Sequence, residues 1–110
     1  MGAQFVHDGN RVDYTPSSAI AAGDVVVQGD LVGVATSPIA ANALGSLAVV
    51  GVFDFPKATG QGTGIAAGTK VYWDATNKRA TATAQGNTYL GKVVKAAADA
   101  DETVCVKLDQ

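Results

Sequence analysis

Cysteine is nearly absent from this chain: Cys105 is the only one, so no disulfide can form within it. It lies in Thr103-Val-Cys-Val-Lys-Leu108, where strand alternation sets the thiol opposite the two valines. The pattern reads as a structural thiol packed beside apolar neighbours rather than a nucleophile. Histidine is equally scarce. His7 has neither a second histidine nor paired cysteines to complete a zinc site. A Ser17, His7 and Asp13 triad can be written on paper, but no strand-turn-helix elbow surrounds the serine. No stretch approaches the roughly 20 apolar residues of a membrane-spanning helix. Met1-Gly-Ala-Gln-Phe-Val-His7 has no basic segment followed by an apolar run, which excludes an ordinary secretory signal. There is also no N-x-[ST] site, and a product of the cytoplasm fits best.

Concentrated charge is missing too. Eight basic and ten acidic residues give a net charge of -2, scattered singly apart from Lys78-Arg79 and Asp99-Ala-Asp-Glu102. A nucleic-acid partner would call for a basic face, and none is visible. The acidic group lacks the residue order of a calcium loop and reads as a solvated turn. Gly60-Gln-Gly-Thr-Gly64 fits neither a dinucleotide fingerprint nor a Walker loop, and a strand rather than a helix follows it. It reads as a flexible surface loop. No catalytic residue, metal, cofactor or small-molecule substrate is expected, and the protein is read as catalytically inert.

What is present is β-sheet chemistry on a thin core. A chain of 110 residues makes one domain. Its 47% hydrophobic content is rich in alanine, which adds little buried area per residue. Association would therefore add needed stability. The few aromatics gather in Gly51-Val-Phe-Asp-Phe-Pro-Lys57 and Val71-Tyr-Trp-Asp74, which hold two of the three Phe, one of the three Tyr and the only Trp. The Gly-rich segment between them is turn chemistry.

One phrase recurs: Ile20-Ala-Ala-Gly-Asp24, Ile39-Ala-Ala-Asn42 and Ile65-Ala-Ala-Gly-Thr69. Its first and third copies start 45 residues apart (65 − 20), and at that offset Val26 aligns with Val71 and Val49 with Val94. The isoleucine would plug a core, the alanines allow close backbone passage, and glycine takes a left-handed turn. Asn42 is the next most tolerant residue there. A short helix over Pro38–Leu47 is the alternative, weakened by Gly45. Strands are predicted at Val25–Gln28, Leu31–Ala35, Leu47–Phe53, Lys70–Trp73, Arg79–Ala84, Tyr89–Lys95 and Thr103–Leu108. The expected fold is all-β, a small compact barrel or sandwich from a duplicated unit, with Ile20 and Ile65 in equivalent buried positions. Residues 1–19 form an N-terminal arm, extended or folded as a short hairpin, and 20–110 a single β domain.

The arm carries Phe5, Val6, Val12 and Tyr14 among polar residues, and these need a surface to lie on. Alternation sends Tyr72 and Trp73 to opposite faces, so one of them should meet a partner. Phe5, Val6, Val12, Tyr14, Phe53, Phe55, Pro56, Tyr72 and Trp73 are the interface candidates, and a homotrimer is the expected assembly.

The pattern G-V-F-x-x-P-K followed by A-G-x-x-V-Y-W-D resembles the small capsid cement (decoration) proteins of tailed phages and prophages. Phe5-Val-His-Asp-Gly9, Ile20-Ala-Ala-Gly-Asp-Val25, Gly91-Lys-Val93 and Val104–Leu108 extend the resemblance over nearly the whole chain. It departs at Asn42, where the family pattern has glycine. The resemblance implies an all-β virion protein on the capsid exterior, made in the host bacterial cytoplasm. It would bind the major capsid protein and reinforce the shell, in all expectation as a trimer. Two alternatives remain open: a recombinase-type accessory acting on nucleic acid, and a stand-alone ligand-binding β domain.

Overall fold

The computed structural model describes residues 2–110, in which nine strands and no helix occur. The strands are β1 (Arg11–Tyr14), β2 (Val25–Gln28), β3 (Leu31–Ala35), β4 (Gly45–Ala48), β5 (Val50–Pro56), β6 (Lys70–Asp74), β7 (Arg79–Thr81), β8 (Thr88–Lys95) and β9 (Thr103–Asp109). They build two antiparallel sheets, of order β1-β4-β3-β2 and β5-β9-β8-β6-β7. Neither closes into a barrel. One parallel bridge, Lys57 to Ala80, brings the end of β5 against β7 and curls the larger sheet.

The recurring phrase proves to be a recurring turn. In the first copy Asp24 N–H donates to Ala21 O at 3.2 Å, and Gly23, at φ +91°, donates to Ala35 O at 2.7 Å. In the third copy Thr69 N–H donates to Ala66 O at 3.3 Å, and Gly68, at φ +86°, to Val93 O at 2.7 Å. The middle copy repeats the pattern with Ala43 to Ala40 O at 3.1 Å and Asn42, at φ +62°, to Pro16 O at 2.7 Å. Asparagine thus does take the left-handed conformation that glycine takes elsewhere. The turns face one another in pairs, through an antiparallel bridge of Ile20 with Ile39 and another of Ile65 with Ala97. Ala97 opens a fourth turn, at the acidic group read from sequence as a turn: Asp101 N–H reaches Ala98 O at 3.1 Å, and Asp101 Oδ2 accepts from Ala98 N–H at 2.8 Å. Asp24 caps Ala21 N–H in the same way, at 3.0 Å.

The main core lies between the sheets: Val32 and Val34 from β3 meet Phe55, Val71, Trp73, Leu90, Val93, Val104, Val106 and Leu108 of the larger sheet. A satellite cluster on the other face of β3 holds Ala35, Ile39 and Leu47, covered by Val12, Tyr14, Ile20 and Val26. Gln110 ties the sheets together. Its side-chain oxygen accepts Val32 N–H at 2.9 Å, while its nitrogen donates to Tyr89 O and Leu90 O, each at 2.9 Å.

Three expectations are corrected here. Residues 11–14 of the expected arm form β1, because Arg11 through Tyr14 pair with Ala48 through Gly45; Met1 of that arm lies outside the described residues. The single run predicted over Leu47–Phe53 breaks at Val49, where the chain crosses from one sheet to the other. Ile20 and Ile65 share a turn but not an environment: Ile65 is buried in the main core and Ile20 half-buried over the satellite. Accordingly Ile65→Ala should lower stability by about 2–5 kcal/mol. Ile20→Ala should cost only about 1–2 kcal/mol. Denaturant midpoints of the two variants give the comparison.

Candidate interaction surface

The candidate contact residues divide sharply by position. Phe5 and Val6 precede β1 outside any strand and are 80% and 83% exposed. Two adjacent apolar side chains this open have no packing role within the chain. Val12 and Tyr14 sit on β1 and cover the satellite cluster, so much of their surface is spent internally. Phe53 is half-buried against the main core, its ring edge-on to Phe55 at 6.2 Å. Phe55, at 1% exposure, and Trp73, at 6%, are core residues packed edge-on at 6.1 Å. Neither has surface to offer a partner. The Phe55-Pro56 pair ends β5 with Phe55 inward and Pro56 outward. Tyr72 does face out, as alternation required, and packs edge-on to Tyr89 at 5.9 Å.

The Gly60–Gly64 segment is not a loose loop. Asp99 organises it, its carboxylate accepting Gly64 N–H at 2.6 Å and Gly62 N–H at 3.2 Å while its carbonyl accepts Gly60 N–H at 3.0 Å. Those amide donors, Gly64 first, hold the Asp99 carboxyl below the usual carboxylate range. Lys57 is buried beneath this loop. Its ammonium donates to Ala58 O at 2.6 Å and lies 3.4 Å from Thr63 Oγ1 and 3.5 Å from Asp99 O. Lys57, Arg79 and Asp74 line a hollow of about 220 Å³ with Thr81 and Thr83. Asp74 is itself engaged by the Asn77 side chain at 2.8 Å and its backbone N–H at 3.2 Å, which lower its pKa and close the β6–β7 hairpin.

Cys105 differs from its expected setting. It is half-buried on the outward side of β9, with Asp54 and Lys95 as its cross-strand neighbours rather than apolar side chains. His7 is exposed and bonds to the Asp8 carbonyl beside it. Among the described residues no group of three or more His, Cys, Asp or Glu side chains is placed to hold a metal ion.

Sequence reasoning missed the outer face of the larger sheet. Val50, Val52 and Val94 are exposed there, and Leu44 is exposed in the loop before β4. The same face aligns Val52, Lys107, Lys92 and Lys70 directly across four strands. Within each strand the only signal is a lysine beside a buried apolar residue or glycine. Register supplies the rest.

The comparisons with known proteins give one match. No curated protein and no solved structure matches the chain. A family model described as phage cement protein matches residues 6–108, from Val6 before β1 to Leu108 near the end of β9. With the match covering both sheets and nearly every described residue, the chain belongs to the phage cement protein family.

Proposed function

We propose that this protein is a non-catalytic component of a tailed-phage virion that binds the outer surface of the capsid and stabilises it. In this reading it acts as a homotrimer on the major capsid protein, without nucleic acid, membrane or small-molecule substrate, after synthesis in the host bacterial cytoplasm. The observation that carries it is the exposed Phe5-Val6 pair leading into β1 of a domain that belongs throughout to a cement family. Apolar side chains with no internal packing gain free energy only by covering a neighbour. A trimer on a three-fold or quasi-three-fold capsid site makes three such contacts at once. An arm that becomes ordered on the shell loses conformational entropy at that step, which keeps binding reversible until several contacts form.

Light scattering on purified protein should report a trimer, and a monomer at micromolar concentration would exclude that state. Co-sedimentation with capsids lacking the protein tests the arm. A chain beginning at Gly9 keeps β1 and its satellite packing, whereas a cut at Pro16 would remove both. The shortened chain should retain its denaturation midpoint and bind capsids at least tenfold more weakly. Undiminished binding would remove Phe5 and Val6 from the interface.

A further inference from the structure

We infer that the outer face of the five-stranded sheet is a docking surface for a carboxylate-bearing protein segment, with Lys70, Lys92 and Lys107 in line to receive it. Lys107 on β9 stands opposite Lys92 on β8, and Lys92 opposite Lys70 on β6; Val52 on β5 continues the row. All three lysines are exposed. Neighbouring strands lie about 4.8 Å apart, so the row spans roughly 10 Å. Like charges directly opposite one another destabilise a sheet, yet no acid interrupts the row. Lysines often protect sheet edges from unwanted pairing, but β9, β8 and β6 are the three interior strands of this sheet. Edge protection therefore does not account for them.

The chemistry of the occupant follows from the surroundings. Val52 at one end, Val94 beside the row and Tyr72 two residues beyond Lys70 add apolar contact suited to a protein surface. Asp54, Asp74 and Asp109 lie further along β5, β6 and β9 on the same face. A phosphate backbone running past the row would meet those carboxylates, in a chain of net charge -2. A short acidic strand or loop would not extend so far. The inference deepens the cement reading, on which it rests in taking the capsid surface as the bearer of that segment.

Lys92→Glu tests it with the full-length protein. An acid between two lysines turns both repulsive pairs attractive, so the thermal midpoint should hold or rise while docking weakens. Binding to cement-free capsid shells should fall at least tenfold at about 50 mM salt, with the gap narrowing at about 0.5 M. Lys92→Arg should bind as the parent does. Equal shell binding by Lys92→Glu overturns the inference and leaves the cement reading intact. Failure of the unaltered protein to bind shells overturns the cement reading instead. In that event titration with a labelled hexaglutamate peptide decides: binding lost in Lys92→Glu supports the docking surface, and no binding overturns it. Tighter binding of a single-stranded oligonucleotide of equal charge overturns it in favour of nucleic acid.

Discussion

Gly91→Ala is expected to destabilise the fold by about 3 kcal/mol or more, at the upper end of overpacking costs. A β-carbon built on Gly91 would lie 1.9 Å from Lys107 O, 2.9 Å from Lys107 C and 3.3 Å from Leu108 Cα. Every one of those atoms is backbone, so no rotamer change relieves the contact. β8 pairs on one side with β9 and on the other with β6, through Leu108 and Val71 opposite Gly91. Relief would require parting β8 from β9 beneath the main core. At Gly33 an added carbon would meet Leu47 at its Cβ, 2.8 Å away, an atom that rotamer changes likewise leave in place. Gly9→Ala, with nothing within 4 Å, should stay within about 0.5 kcal/mol of the parent. Chemical denaturation of the two variants side by side measures the difference, and a Gly91→Ala midpoint equal to that of Gly9→Ala would refute the close approach.

Phe55→Ala should cost about 3–5 kcal/mol, enough to consume much of a small domain's stability. Phe55 is among the largest fully buried side chains and packs edge-on to both Phe53 and Trp73 on the larger sheet's inner face. Tyr72→Ala, on the outer face and only half-buried, should cost about 1 kcal/mol, mostly its edge contact with Tyr89. The pair separates folding from binding. A capsid-binding defect in Phe55→Ala that tracks its lost denaturation midpoint is a folding defect. One in Tyr72→Ala with the midpoint kept is a contact. A Phe55→Ala chain as stable as the parent would return that ring to the surface.

How far the chain could be read from residues alone varied with the range of the forces involved. Local chemistry was legible: Val25–Gln28 and Leu31–Ala35 form strands with the predicted bounds, and the Ile-Ala-Ala-Gly turns recur as hydrogen-bonded units. β1 was missed because Arg-Val-Asp-Tyr is a short edge segment whose pairing depends on β4, 31 residues downstream of its end (45 − 14). The break at Val49 has no local mark, since valine suits a strand on either side of it. Non-local placement decided the candidate surface. Phe55 and Trp73 looked like partner-seeking aromatics, but alternation along β5 and β6 sets both on the inner face, where they pack together in the main core. The three lysines, scattered at 70, 92 and 107, become one row only once β6, β8 and β9 are in register.

The pairing of β5 with β9 also sets a clock on biogenesis. β5 ends at Pro56, and its partner in the sheet begins at Thr103. At roughly 5–20 residues per second of synthesis, β5 waits about 2–10 seconds before that partner exists. During that interval Val50, Val52, Phe53 and Phe55 form an unpaired apolar segment able to recruit another nascent chain. Asp54 and Pro56 interrupt the segment with a charge and a missing amide donor, the two features that most hinder intermolecular β pairing. Their removal should therefore lower the yield of soluble protein during rapid expression more than it lowers the stability of molecules already folded.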